Sequence, residues 1–204
     1  MTDGPGLKAV ALNCTLKRSP APSSTDLMIG VIVEALREQD VETEVIRVVD
    51  HAVAEGVTSD EGDGDAWPAI REKILDAQIL LLATPIWLGN PSSVARKVLE
   101  RMDAFLGEED DQGRVISYDR VGICATVGNE DGAHNVAAQA YQALSDVGFT
   151  IPPNAQAYWV GEAMGSVDFN DLDEVPEKTR TTAADVARNA AHLARLLQSS
   201  PYPS

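Results

Sequence analysis

The sequence has little that would tie it to an oxidising compartment, a metal, a nucleic acid or a membrane. It has two cysteines in 204 residues, Cys14 and Cys124. That is too few for a disulfide framework or a metal-ligand cluster, so both read as reduced thiols, with Cys14 a small buried residue beside a tight loop. Positive charge is scarce: 16 Lys and Arg stand against 32 Asp and Glu, a formal net charge of −16. Such a chain lacks the basic face of a nucleic-acid binder. Its longest apolar run, Ile79 to Ala83, falls far short of the roughly 20 residues that cross a bilayer. No apolar segment of the signal-peptide kind follows the start, so a cytoplasmic protein without membrane insertion is expected. Internal repeats and low-complexity tracts are absent as well. Length and a 44% hydrophobic content suit one domain spanning residues 1–204.

What is present alternates. Strand patterns at 7–13, 43–49, 78–84, 120–127 and 155–160 interleave with helical patterns at 24–38, 66–76, 92–106, 133–147 and 181–198. Ile79-Leu80-Leu81-Leu82-Ala83 and Val121-Gly122-Ile123-Cys124-Ala125 are apolar without alternation, as in parallel strands covered on both faces. An α/β doubly wound, five-stranded parallel sheet with helices on both faces is expected. Three irregular stretches interrupt it. Glu55–Asp65 reads as a solvated loop in which Asp63 or Asp65 caps the following helix. Gly107–Asp119 carries the run Glu108-Glu109-Asp110-Asp111 and reads as a wet acidic loop. Glu162–Lys178 is long for a connection and is read as a flap over a site or an interface segment. The tail Pro201-Tyr202-Pro203-Ser204 is expected to fray.

Three loops at strand ends carry the chemistry. After the first strand come Asn13-Cys14-Thr15-Leu16-Lys17-Arg18-Ser19 and then Ser23-Ser24-Thr25. A helix N-terminus, hydroxyls and cations together suit a phosphate. After the third strand, Thr84-Pro85-Ile86-Trp87-Leu88-Gly89-Asn90-Pro91-Ser92-Ser93 offers a stiff exit, an aromatic face and a glycine turn suited to a flat ring, with Ser92 or Ser93 as N-cap. Packing of Trp87 down on the sheet is an equal reading of that loop by itself. After the fourth strand, Thr126-Val127-Gly128-Asn129-Glu130-Asp131-Gly132-Ala133-His134 can bring backbone N–H groups to a ligand. All three open on one sheet edge, which favours one site over three coincidences. Of His51, His134 and His192, only His134 lies on that edge, where it is placed to hydrogen-bond a ligand. Asp26, Glu130 and Asp131 are read as helix-dipole partners.

The first loop resembles the phosphate loop of flavodoxin-like NAD(P)H-dependent FMN reductases and quinone reductases, usually Asn-Gly-Ser-Pro-Arg followed by Asn-Thr or Ser-Thr. The second is similar to that family's Pro-x-Tyr/Trp-x-Gly-x-Pro/Met-Ser loop, and Lys97 falls where its next helix often carries a lysine. The resemblance spans at least residues 7–148. Cys14 stands where the family has glycine and Leu16 where it has proline, and Ser19-Pro20-Ala21-Pro22 lengthens the loop. The resemblance implies a flavodoxin-like strand order of 2-1-3-4-5 and FMN as cofactor. Thr15, Lys17, Ser23, Ser24 and Thr25 would hold its phosphate. Pro85, Ile86, Trp87, Leu88 and Gly89 would border the ring, and Thr126, Val127, Gly128, Asn129, Gly132 and His134 would close its other side. It further implies NADPH or NADH as co-substrate, a quinone, flavin or similar small-molecule acceptor, no dedicated catalytic acid or base, and a homodimer or homotetramer. The alternatives are a flavodoxin-like FMN electron carrier meeting a partner protein through its acidic surface, or a domain binding another phosphorylated ligand or only a partner protein.

Overall fold

The computed structural model describes residues 6–203. In chain order it contains β1 (Leu7–Asn13), α1 (Ser24–Arg37), β2 (Val41–Arg47), α2 (Trp67–Asp76), β3 (Ile79–Trp87), β4 (Asn90–Pro91), α3 (Ser93–Met102), β5 (Val121–Gly128), α4 (Ala133–Asp146), β6 (Gln156–Val160) and α5 (Glu177–Ser199). The sheet runs β2-β1-β3-β5-β6, all parallel. With the two-residue β4 set aside, this is the 2-1-3-4-5 order of the flavodoxin-like fold.

Strand alternation sorts the continuous apolar runs onto two cores. Leu7, Ala9, Ala11, Ile79, Leu81 and Ala83 face the layer of α1 and α5, where Met28, Ile32, Leu36, Ala187, Ala190 and Ala194 are buried. Val10, Leu12, Leu80, Leu82 and Cys124 face the layer of α2, α3 and α4, with Trp67, Ile74, Val98, Phe105 and Leu144. The Ala-rich stripe of α5 is therefore a core face, which lets this helix lie close to the sheet and to α1.

Several expectations change. β3 runs to Trp87, beyond the expected end at residue 84, because β4 returns antiparallel with Ile86 opposite Pro91 and Trp87 opposite Asn90. The tail is docked through Tyr202, with Ser204 outside the described residues: Tyr202 N donates to Asp119 Oδ1 at 2.8 Å, Arg114 Nη1 donates to Tyr202 O at 2.6 Å, and the Tyr202 ring packs edge-on against Tyr118. The 107–119 stretch is a folded turn in which Asp110 accepts from Arg114 through its main chain and side chain. Those bonds pull the Asp110 carboxyl down to about 2. Of the two candidate caps for α2, Asp65 supplies the acceptor, taking Trp67 N at 3.0 Å. It also takes Ala54 N, Glu61 N and Arg101 Nη2, the last at 2.7 Å, with both side chains of that ion pair essentially buried.

Candidate functional site

A cleft of about 610 Å³ opens at the carboxyl edge of the sheet, between the ends of β1, β3, β5 and β6. This is the switch point where the chain leaves β1 and β3 in opposite directions, the standard place for a ligand in an open α/β sheet.

One end of the cleft is the β1–α1 loop, lined by Thr15, Leu16, Lys17, Ser23, Ser24 and Thr25. Ser23 is the N-cap of α1, its Oγ accepting from Asp26 N. The main-chain N–H groups of Ser24 and Thr25, with no carbonyl one turn back, point out of the helix end. Among the described residues the Ser24 and Thr25 hydroxyls donate to no protein group, and Thr15 Oγ1 accepts from Lys17 N at 3.3 Å while keeping its proton to give. Hydroxyl donors, a lysine and the positive end of a helix thus share one end of the cleft, the chemistry that suits a phosphate monoester. The loop is held to β3 by Cys14 N donating to Ala83 O at 2.8 Å, and to α3 by Ser92 Oγ donating to Cys14 O at 2.7 Å. Ser92 is also the N-cap of α3, so one serine joins the first two loops. Burial pushes both the Cys14 and Cys124 thiols up, Cys124 to about 12, which leaves them protonated and inert.

The second wall is Pro85, Ile86 and Trp87 at the end of β3. Leu88 and Gly89 make a two-residue turn with φ of 51° and 71°, the positive pair that matches the twist of a tight hairpin. The tip is locked to the third loop. Leu88 N donates to Glu130 Oε1 at 3.1 Å, Asn135 Nδ2 donates to Gly89 O at 2.8 Å, and Gly132 packs directly on Gly89. Trp87 is about half exposed, so its face is available at the mouth.

The third wall, Val127, Gly128 and Asn129, extends into the 162–178 stretch. Gly161 N donates to Gly128 O, Met164 N donates to Asn129 O, and Asn129 Nδ2 donates to Gly165 O at 2.9 Å and Asp168 Oδ1 at 3.2 Å. Those bonds bring Asp168 and Phe169 into the cleft beside Trp159, whose ring centroid lies 5.3 Å from that of Phe169.

Of the sequence candidates, Thr15, Lys17, Ser23, Ser24, Thr25, Pro85, Ile86, Trp87, Val127, Gly128 and Asn129 line this cleft. Leu88, Gly89 and Gly132 form the turn and its support behind Trp87. Thr126 faces the sheet interior, fully buried, with Gln156 Nε2 donating to its Oγ1 at 2.8 Å. His134 stands outside the cleft on α4, edge-on to Tyr158, because the first turn of α4 rotates it away. Lys97 is also directed elsewhere, pairing with Glu55 and donating to Val53 O. Leu16, Trp159, Asp168 and Phe169 complete the lining without having been singled out. Only the unusual length of the last connection pointed toward two of them.

The profile of the NADPH-dependent FMN reductase family matches residues 7–164, and the chain belongs to that family of flavin-based oxidoreductases. It is 37% identical over 206 residues to an 8-demethyl-8-aminoriboflavin-5'-phosphate synthase of Streptomyces davaonensis, covering 96% of this chain and 80% of that protein. It is 39% identical over 200 residues to a divalent metal cation transporter, MntH, of Mycobacterium bovis, covering 95% of this chain but 29% of the transporter. No helix among the described residues is long and apolar enough to cross a membrane. Among solved structures, that of RosB with bound 8-demethyl-8-formylriboflavin-5'-phosphate superposes with a TM-score of 0.88 at 36% identity, covering 97% of this chain and 82% of that one.

Proposed function

We propose that the chain binds FMN in this cleft and works as an oxidoreductase drawing on NADPH or NADH to reduce a small-molecule acceptor, as a cytoplasmic homo-oligomer. The observation that carries the reading is the meeting of an anion cradle at α1, an exposed aromatic at the end of β3 and a backbone-rich third loop on one cleft. The donors present fit a phosphate monoester at one end, and Pro85, Trp87 and Gly128 fit an aromatic ring system at the other. When bound, FMN supplies the redox chemistry.

The protein's part is binding and orientation. Thr15, Lys17, Ser24 and Thr25 hold the phosphate. The Trp87 hairpin, fixed by Glu130, Asn135 and Gly132, keeps one edge of the ring site rigid, so little ordering cost is left for binding. Asn129 sets the position of the segment that closes the third side. With both thiols buried and His134 outside the cleft, none of these three groups is given a part in the reaction.

A second reading takes the flavin itself as substrate, favoured by the 37% identity to a flavin-modifying synthase over 96% of this chain. One experiment separates the readings. Purified protein is titrated with FMN, followed by absorbance, and then incubated with NADPH or NADH and menadione, with the flavin analysed by mass spectrometry. Steady nicotinamide oxidation with FMN of unchanged mass supports the first reading, and a changed flavin mass supports the second. Binding without nicotinamide oxidation supports the electron carrier, and no flavin binding refutes all three.

A further inference from the structure

The anion cradle contains a negative charge of its own. Asp26 sits in the first turn of α1, one residue from Thr25, where a bound phosphate and a carboxylate compete for the same helix end. Arg47, the last residue of β2, compensates it. Arg47 Nη2 donates to Asp26 Oδ2 at 2.9 Å, while Arg47 Nη1 donates to Ala21 O at 2.9 Å and Lys17 O at 3.4 Å. The other carboxylate oxygen accepts from Asn13 Nδ2 at 2.8 Å, and Asn13 Oδ1 in turn accepts from Thr15 N. The Arg47 side chain is only 10% exposed, so its charge is fixed in direction. Asp50 plays a parallel part on the outer side of the loop, accepting from Ser19 N and Ser19 Oγ.

The structure assigns to Arg47 the choice of a phosphorylated over an unphosphorylated flavin. It is a positioning residue: it does not line the cleft, and it acts by cancelling Asp26 beside the phosphate site and by tying Lys17 and Ala21 into the loop. With it, the loop region holds three cations, Lys17, Arg18 and Arg47, against two carboxylates, Asp26 and Asp50. Without it the balance is even, with Asp26 the uncompensated charge nearest the site. Charge compensation and loop shape both act at the phosphate end, and the double variant tells them apart, because Asp26→Asn restores the charge balance but not the Arg47 bonds to Lys17 O and Ala21 O. The inference rests on the FMN reading given above.

The test compares dissociation constants for FMN and riboflavin, by flavin absorbance and fluorescence titration, in the wild-type protein and in Arg47→Met, Asp26→Asn and the double variant. Arg47→Met is expected to weaken FMN roughly tenfold, the scale of one unit charge about 6 Å from a dianion at a water-like dielectric. Riboflavin binding should change less than about twofold, and adding Asp26→Asn should restore most of the FMN affinity. Asp26→Asn alone, which leaves Arg47 as an unopposed cation, should raise the FMN-to-riboflavin preference above wild type, an effect that shrinks at high salt. This single variant keeps the proposal testable if Arg47→Met does not fold. Equal loss of both ligands in Arg47→Met, no rescue in the double variant, or an unchanged preference in Asp26→Asn would each overturn the assignment. A wild-type protein that binds neither flavin refutes the FMN reading instead.

Discussion

Gly132→Ala should damage the site through a contact that no ligand atom makes. Gly132 has φ of +124°, and a Cβ added there would lie 2.6 Å from Gly89 Cα and 2.9 Å from Gly89 O. Both neighbours are main-chain atoms of the hairpin tip, and Gly89 O is already engaged by Asn135 at 2.8 Å. The hairpin therefore has to move, carrying Trp87 with it. The backbone conformation alone costs about 2 kcal/mol for a residue with a side chain, which in a domain of this length lowers Tm by roughly 4–8 °C. The displaced Trp87 wall should raise the Kd for FMN about tenfold, equivalent to about 1.4 kcal/mol. Gly62→Ala is the matched control: its φ of +104° carries a similar backbone cost, but nothing lies within 4 Å of its Cβ. Thermal unfolding and FMN titration on both variants decide the matter. If Gly132→Ala binds FMN like wild type, or Gly62→Ala weakens FMN equally, then the Gly89–Gly132 contact does not shape the ring site.

Asp65→Ala, which strands the buried Arg101 guanidinium, should cost about 3–5 kcal/mol by chemical denaturation. Burial pushes the Asp65 carboxyl up, but hydrogen bonds from Trp67 N, Arg101, Glu61 N and Ala54 N outweigh it and hold the group well below the usual carboxylate range. Its contribution is thus complete above about pH 4 and is lost as pH falls toward the folded value, so the variant's stability should vary less with pH in acid than the wild type's. Cys14 and Cys124, both fully buried with raised pKa, should leave an aromatic disulfide reagent unreacted until the protein unfolds, and fast reaction of the native protein would contradict the burial. Phe169→Ala should cost about 3–5 kcal/mol and weaken FMN binding, because the ring that anchors the 162–178 stretch against Trp159 also lines the cleft.

The main lines of the fold were legible because each rested on a local pattern. Unbroken apolar runs at Ile79–Ala83 and Val121–Ala125 need helices on both sides, and that need sets the layering. The edge that carries the cleft was legible for a similar reason: hydroxyls, prolines and glycines stand at strand ends, where the chain turns. What sequence could not reveal was side-chain direction at those ends and contact between distant segments. Thr126 sits beside Val127 in the same motif, yet strand alternation and Gln156, 30 residues away, turn it inward. His134 lies one residue into α4, where a rotation of about 100° per residue decides between ligand and solvent. Phe169 and Asp168 enter the cleft only because Asn129 grips a stretch some 36–39 residues further on.

Arg47 shows the same division most sharply. In sequence it closes an ordinary strand, 21 residues from the carboxylate it neutralises. The parallel pairing of β1 with β2, Asn13 opposite Arg47, carries it to the loop. The register that builds the sheet thus also sets the charge beside the proposed phosphate site, and a slip of one residue would turn Arg47 to the other face. Ser92 works the same way at the next crossover, capping α3 while bonding Cys14 O. In both places a residue at the end of a secondary-structure element supplies the bond that shapes the β1–α1 loop. Substitutions there should therefore register in flavin binding even when overall stability changes little.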